Sequence, residues 1–146
     1  MKRYRFILGL LALLTFACQS PQPSYIISGP QSQLVANLIA AVNEKDAEKY
    51  VAGFAEEVEI VVEREVRIKG RDLVRANRAA HFEAHPEIRS EILHIVEIDN
   101  KVVLHDKVWL SAADQEGQDI VEIFTFQGGV VVRMEVIQPR LLSQDE

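Results

Sequence analysis

The chain has 146 residues, enough for about one domain. Hydrophobic residues make up 48% and charged residues 26%, a globular balance that excludes a disordered, collagen-like or coiled-coil chain. A single cysteine excludes an internal disulfide framework and a cysteine-rich zinc site, and the formal net charge is −6.

The N-terminus has the pattern of an export signal. Lys2, Arg3 and Arg5 precede an uncharged apolar run at 6–16, which is shorter than the roughly 20 residues that span a bilayer. Residues 1–17 are therefore predicted to be a cleaved signal peptide. Cleavage would reduce the 16 basic residues to 13 against 22 acidic ones, and the resulting charge of −9 argues against nucleic acid as a partner.

The single cysteine follows this signal directly. Leu14-Thr15-Phe16-Ala17-Cys18 resembles the lipobox of bacterial lipoproteins, which implies that Cys18 is acylated and anchors the protein to a membrane. Gln19 after the cysteine favours the outer membrane of a Gram-negative cell, with the protein facing the periplasm. Thr15 and Phe16 depart from the usual lipobox residues, so plain secretion with an incidental Cys18 is the alternative.

The rest of the chain divides into a tether at 18–30, one domain at 31–139 and a tail at 140–146. Helical spacing predicts a first helix over 31–43 and a third over 71–85, which Pro86 ends. Asp46 is the predicted N-cap of a short second helix. The apolar residues of the second helix are Ala47, Tyr50, Val51 and Phe54, and those of the third are Leu73, Ala76, Ala80 and Ala84.

After Pro86 the apolar period changes to two. Strands are predicted over 88–98, 102–112, 119–127 and 130–137, and 58–63 and 66–69 also have strand character. Short turns make the last four strands sequential antiparallel neighbours. The result is an α+β domain with helices packed on one face of a curved sheet.

Two strands carry one apolar and one mixed face. The apolar faces are Val102, Leu104, Val108 and Leu110, interrupted only by Asp106, and Val130, Val132, Met134 and Val136. The mixed faces hold His105, Lys107 and Trp109, and Arg133 and Glu135. One interpretation packs the apolar faces under the helices. The other places the mixed faces around a pocket and the apolar faces in a dimer interface.

Several side chains are candidates for a site. Glu122 lies among apolar alternates and would face either a desolvated pocket or solvent. His105 and Lys107 would bind an anionic or carbonyl-bearing ligand beside Trp109, or lie on a solvated face. Arg133 and Glu135 pair with each other or with neighbouring charges in the simpler interpretation.

The helical histidine pair has weak support as a metal site. His81 and His85 have the i, i+4 spacing of metal ligands, but Glu83 is one place late for the metalloprotease pattern. No metal or other cofactor is predicted. Ser90 and Ser111 lack a nucleophile elbow, so nucleophilic catalysis is not predicted.

Four phrases together resemble the nuclear transport factor 2-like, or SnoaL-like, superfamily. They are NLIAAVNEKDAEKYVAGFAEEVEI (37–60), GRDLVR (70–75), HPEIRSEIL (85–93) and VVLHDKV (102–108). The resemblance implies a cone-shaped, cystatin-like roll in which three N-terminal helices pack on a curved antiparallel sheet. It also implies a pocket on the concave face and a homodimer through the outer face, which favours the mixed-face pocket.

The superfamily's known catalytic sets match poorly. Ketosteroid isomerases of this fold use a carboxylate base, a tyrosine and a protonated carboxylic acid, and the matching positions are Val62, Leu38 and Glu122. Epoxide hydrolases of this fold use an Arg-x-Asp pair and a further Asp, and the matching positions are Lys107, Trp109 and Glu135.

The resemblance therefore predicts a pocket without naming a reaction. The expected pocket residues are His105, Lys107, Trp109, Glu122 and Glu135, with Glu122 the one candidate catalytic group. The expected function is an exported, lipid-anchored pocket domain that binds a small apolar or weakly acidic organic molecule. The alternatives are an isomerase, hydrolase or cyclase, and a protein-interaction module whose pocket is vestigial.

Overall fold

The computed structural model describes residues 25–137. The predicted signal peptide, Cys18 and the tail at 140–146 lie outside the described residues. The helices are α1 (Pro30–Glu44), α2 (Ala47–Val51) and α3 (Arg71–Ala84). The strands are β1 (Phe54–Val62), β2 (Glu65–Lys69), β3 (Arg89–Ile98), β4 (Lys101–Trp109), β5 (Gln118–Gln127) and β6 (Val130–Ile137).

The starts of the first two helices follow from local capping. Ser32 is fully buried, and its hydroxyl accepts a hydrogen bond from the Gly29 backbone N–H at 3.0 Å. The Glu97 carboxylate on β3 accepts from the Ser32 backbone N–H at 2.7 Å, which ties the first turn of α1 to the sheet. The predicted N-cap of α2 is confirmed, because Asp46 accepts from the Lys49 backbone N–H at 2.9 Å.

The third helix is present where the sequence predicts it, but the predicted packing side is wrong. Val74 and Phe82 are its buried residues, whereas Leu73 is 62% exposed. The buried row therefore runs through Val74, Arg78 and Phe82 at i, i+4 and i+8. The alanine row has little apolar surface to bury, so the branched and aromatic residues face the core instead. Arg78 lies between them on the same row and therefore faces the core as well.

A single six-stranded sheet has the order β2-β1-β6-β5-β4-β3. The antiparallel meander predicted for β3 to β6 is confirmed. The early strands join it because β1 pairs in parallel with β6 and antiparallel with β2. All three helices lie in the chain before β3, and α1 and α3 pack on the inner face of the sheet.

The apolar face of β4 lies on the inner side of the sheet, which the helices cover. Val102 and Leu104 are fully buried against the helices, and Asp106 is 3% exposed. The alternative that assigned these residues to a dimer interface is therefore wrong. The helices need an apolar surface beneath them, and the alternation of β4 supplies one on this side alone.

The alternation predicted for β6 is interrupted. Val131 is fully buried although it lies out of phase with Met134, which is 2% exposed, and Val130 is 38% exposed. The β5–β6 ladder shifts register between Thr125 and Phe126, and such a shift exchanges the inner and outer faces. The predicted continuous apolar face of β6 is therefore divided between the two sides.

Candidate functional site

A cavity of about 330 Å³ lies between the helices and the inner face of the sheet. Its wall combines aliphatic side chains with nine polar ones. The polar lining residues are Tyr50, Arg67, Asn77, Arg78, His81, Ser90, Asp106, Gln118 and Glu122. Across the described residues, 25–137, no helix is long and apolar enough to cross a membrane.

Two carboxyl groups share the sheet side of this cavity. Asp106 on β4 lies opposite Ile120 of β5, and Glu122 is two residues further along β5 on the same face. Such diagonal positions are about 7–8 Å apart. The paired carboxyls therefore lie close enough to sense each other's charge, in a space lined mainly by hydrocarbon.

The surroundings of Glu122 favour its neutral form. Its directly opposite neighbours are Leu104 on β4 and Val136 on β6, so neither adjacent strand places a polar residue directly across from it. Burial, and after it the negative charge of Asp106, raises the pKa of Glu122 to about 7, against an opposing effect of Arg78. Glu122 therefore exchanges its proton near neutral pH.

Asp106 is held by a small hydrogen-bond network. The Ser90 hydroxyl donates to Asp106 Oδ2 at 2.5 Å. The amide of Asn43 clamps Ser90 in place, because Asn43 Oδ1 accepts from the Ser90 backbone N–H at 2.8 Å and Asn43 Nδ2 donates to the Ser90 carbonyl at 2.9 Å. Burial raises the pKa of Asp106, while Ser90 opposes this effect.

One oxygen of Asp106 has no partner among the described residues. Asp106 Oδ1 is buried and receives no hydrogen bond from any residue of 25–137. An unpaired buried acceptor costs about 1–3 kcal/mol, so a hydrogen bond from a bound molecule to this oxygen would be favourable. Because Asp106 belongs to the cavity wall, that partner would enter through the cavity.

A cation and a phenol form the helical side of the cavity. The guanidinium of Arg78 lies 4.3 Å from the ring centroid of Tyr50, and its Nη2 donates to the Tyr50 hydroxyl at 2.9 Å. Burial raises the pKa of Tyr50 to about 12, so the phenol stays protonated. It points its hydroxyl at the sulfur of Met134, 3.8 Å away.

Arg78 also retains bonding capacity. Its Nε is buried and has no hydrogen-bond acceptor among the described residues. Arg78 and the carboxyls of Asp106 and Glu122 belong to the same cavity, so its positive charge opposes the rise in both carboxyl pKa values. The cavity therefore contains one fixed positive charge and two carboxyl groups, of which one can stay protonated while the other is ionised.

The structure places the predicted site residues in two different environments. Glu122 lines the cavity. His105 and Lys107 alternate with Asp106 and lie on the outer face of β4, where both contact Asp119. The alternation of β4 cannot direct these residues and Leu104 to the same side, so His105 and Lys107 do not reach the cavity.

The other two predicted pocket residues also lie outside the cavity. Trp109 is 7% exposed, and Arg89 covers its ring at 3.5 Å from the centroid. Glu135 accepts from Arg133 Nε at 3.0 Å, and Arg133 also binds Glu59 at 3.0 Å. These contacts agree with the simpler interpretation, in which Arg133 and Glu135 take part in ion pairs.

Several cavity residues have no counterpart in the sequence prediction. Asp106 carried a usable signal, because a single acid interrupting an apolar strand face is unusual unless it has a partner. Arg78 and Tyr50 had no such signal in the sequence, because their contact depends on how α3 crosses α2. Val62 lines the cavity and Leu38 is buried, so the two positions matched to an isomerase base and tyrosine hold aliphatic side chains.

The two histidines near the end of α3 lie beside each other, and His81 lines the cavity. The rings of His81 and His85 are 4.7 Å apart. Burial, followed by the positive charge of Arg78, lowers the pKa of His81, which favours its neutral form. Within 25–137 no group of three or more histidine, cysteine, aspartate or glutamate side chains is arranged to hold a metal ion.

Comparisons with known proteins agree with this architecture. An uncharacterized cystatin-fold protein from Novosphingobium aromaticivorans is 25% identical, with a TM-score of 0.68 over 75% of this chain and 98% of that chain. A SnoaL-like protein of unknown function from Burkholderia thailandensis is 18% identical, with a TM-score of 0.65 over 80% and 98%. A putative ketosteroid isomerase from Kribbella flavida is 16% identical, with a TM-score of 0.63 over 75% and 78%.

The sequence comparison is more specific than the structural one. The search of curated proteins found no match. The profile described as "SnoaL-like domain" matches residues 35–134, which include every residue that lines the cavity except Val136. Since that match spans more than half of the chain, the protein belongs to the SnoaL-like domain family.

Proposed function

We propose that the protein is an acid–base enzyme that moves a proton on a small, mostly apolar organic molecule carrying an oxygen function. The observation that carries the proposal is the carboxyl pair, Asp106 and Glu122, in a preformed cavity where one Asp106 oxygen has no partner within residues 25–137. Catalytic carboxyls whose proton exchanges near the working pH are the most effective acids and bases.

The two carboxyls would take complementary roles. Because they interact, they titrate as a pair, and Glu122 is the member that exchanges its proton near neutral pH. The protonated carboxyl donates a hydrogen bond to the substrate oxygen, while the ionised one removes a proton from the neighbouring carbon. The same pair returns the protons to complete the turnover, so the substrate is rearranged with no net gain or loss of protons.

Arg78 would stabilise the charge that develops on the substrate. Its guanidinium is positioned by Tyr50, and its Nε–H has no acceptor in the part of the chain that the structure describes. In a cavity lined mainly by hydrocarbon, a fixed cation acts more strongly than in water. The cavity volume of about 330 Å³ is at the lower end of ligand sites, which favours a compact substrate.

Deuterium exchange tests this proposal. The protein would be purified from its own host and its retained compounds identified by native mass spectrometry. These compounds, and a small-molecule extract of the host, would then be incubated with the protein in D₂O. We expect deuterium incorporation at carbon in at least one compound, and its loss in Glu122→Gln.

Glu135→Gln is the matched control, because it removes a carboxylate from the outer face of the same sheet. It should exchange deuterium at the wild-type rate. Equal exchange by the wild type and Glu122→Gln, or none by either, would contradict the proposed acid–base role.

Binding without turnover is the second candidate function. It is favoured by the aliphatic Val62 at the position matched to the isomerase base. Under this alternative the wild type would retain a compound in native mass spectrometry but exchange no deuterium into it. The open cavity supports either of these functions over an interaction module with a vestigial pocket, since Leu38 and Phe124 lie in the core without filling it.

We also propose that the protein is exported and anchored through acylated Cys18, which lies outside the described residues. The support for this proposal is the sequence pattern of residues 1–18 alone. A homodimer likewise remains a prediction. Its interface would have to exclude Val102 and Leu104, which are fully buried within one chain.

A further inference from the structure

A row of polar side chains crosses the inner face of the sheet diagonally over three strands. Ser90 on β3 lies opposite Val108 of β4, so Asp106 is its diagonal neighbour, two residues along β4. Glu122 on β5 is related to Asp106 in the same way, because its direct neighbour on β4 is Leu104. Ser90, Asp106 and Glu122 all line the cavity, so the row has a hydroxyl at one end and two carboxyls after it.

The two carboxyls of this row have unequal partners. Asp106 Oδ2 accepts a hydrogen bond from the Ser90 hydroxyl at 2.5 Å. Burial raises the pKa of Asp106, and the hydrogen bond from Ser90 is the largest effect that opposes this rise. Within residues 25–137 no hydrogen bond acts in this way on Glu122, whose pKa burial and then the charge of Asp106 raise to about 7. Because a hydrogen bond donated to a carboxylate favours its ionised form, the row favours ionised Asp106 beside protonated Glu122.

The surroundings of Ser90 hold its hydroxyl in this role. A hydroxyl can donate or accept, but in the described part of the chain the hydroxyl of Ser90 has one partner, which is Asp106. A buried O–H group with a single acidic neighbour is satisfied by donating to it, and a carboxylate is the stronger acceptor. Asn43 at the end of α1 binds both the backbone N–H and the carbonyl of Ser90, so this residue stays beside Asp106.

Among the described residues, no other charged or titratable group near the pair opposes this asymmetry. Arg78 opposes the rise that burial causes in the pKa of both carboxyls, so it does not choose between them. His105, on the outer face of β4, also opposes the rise in the pKa of Asp106 and acts in the same direction as Ser90. The remaining groups of the wall are the protonated Tyr50, His81 with its neutral form favoured, and Arg67, which binds Glu65 at 3.1 Å.

We propose that Ser90 is a positioning residue that keeps Asp106 ionised and so leaves the shared proton on Glu122. This inference rests on the proposed acid–base function and assigns the two roles within it. Asp106 would accept the proton from the substrate carbon and later return it, whereas Glu122 would keep its proton and donate a hydrogen bond to the substrate oxygen. The substrate would therefore bind in one orientation, with its acidic C–H group towards Asp106.

The test is a pH titration of the full-length chain, with ¹³C-labelled aspartate and glutamate carboxyls followed by NMR. In the wild type we expect the Glu122 carbon to report the step near pH 7 and the Asp106 carbon to titrate at lower pH. Ser90→Ala removes the donor and should increase the proton affinity of Asp106 by about 10–100-fold, which moves its titration towards that of Glu122. Ser90→Thr retains a hydroxyl and should restore the wild-type titration.

Two further variants complete the design. Ser111→Ala is the matched control, because it removes a serine hydroxyl from the loop after β4, outside the cavity wall, and it should titrate as the wild type does. If Ser90→Ala does not fold, Asn43→Ala takes its place, because it releases Ser90 without changing a residue of the cavity wall. It should raise the proton affinity of Asp106 in the same direction.

Three results would overturn the proposal. The first is a wild type in which the step near pH 7 appears at Asp106 while Glu122 ionises at lower pH. The second is an Asp106 titration that neither Ser90→Ala nor Asn43→Ala changes, and the third is a Ser90→Thr variant that titrates like Ser90→Ala. None of these results depends on deuterium exchange. Exchange without the Ser90 effect would sink this inference alone, and the Ser90 effect without exchange would sink the proposed enzyme alone.

Discussion

Replacement of Glu122 by Gln should stabilise the protein at neutral pH. Glutamine resembles the protonated carboxyl in shape and stays neutral, whereas Glu122 must ionise in an apolar wall as the pH rises. Burial raises its pKa from 4.5 to about 7 in the folded protein. At about 1.4 kcal/mol per pKa unit, this difference corresponds to about 3 kcal/mol.

The sign of the effect follows from proton binding. Between pH 4.5 and 7 the folded protein holds the Glu122 proton more often than the unfolded chain does. The contribution of this group to the free energy of unfolding is therefore fully present below pH 4.5, falls as the pH rises, and is lost above pH 7. Asp106 belongs to the same pair, so the measured change reports the proton that the two share.

Urea denaturation followed by circular dichroism at several pH values measures this effect. The free energy of unfolding of Glu122→Gln should equal that of the wild type near pH 4.5 and exceed it by about 3 kcal/mol near pH 8. Glu135→Gln reports what the loss of one negative charge does outside the cavity. A difference for Glu122→Gln that stays constant with pH, or that decreases as the pH rises, would refute the assignment of Glu122 to a desolvated wall.

The remaining predictions concern the core, the cavity and the anchor. Leu104→Ala should lower the free energy of unfolding by about 2–5 kcal/mol in urea denaturation, since Leu104 is fully buried; a cost below about 1 kcal/mol would contradict the packing of this face. Tyr50→Phe removes the partner of a partly buried guanidinium and should cost about 1–3 kcal/mol in the same assay, and an unchanged stability would argue against that contact. Cys18→Ala should abolish palmitate labelling, and a mutant still labelled would exclude the anchor.

Leu104 shows what strand periodicity predicts and what it does not. The alternation of β4 correctly grouped Val102, Leu104 and Asp106 on one face, because a strand has a fixed period of two. It did not say what covers that face. The family resemblance favoured a dimer partner on that face, whereas the helices of the same chain cover it. The cavity therefore lies on the Asp106 face of β4 and not on the predicted His105 face.

Local patterns determined the elements of this protein. The turn residues after Ile98 and Gln127 and the N-cap at Asp46 act within a few residues, so the helices, the meander and the α+β class follow from the sequence. The same patterns identified Glu122 as a carboxyl among apolar neighbours. They did not show that β1 would pair in parallel with β6, since that contact joins distant parts of the chain.

The composition of the cavity was decided by tertiary structure alone. Arg78 and Tyr50 are 28 positions apart, and they meet because the larger apolar surface of Val74 and Phe82 turns α3 onto α2 and the sheet. Asp106 and Glu122 become a pair because the register of β4 and β5 places them diagonally on one face. A pKa near 7 requires both that pairing and the exclusion of water by a surrounding wall, and neither condition is local in sequence.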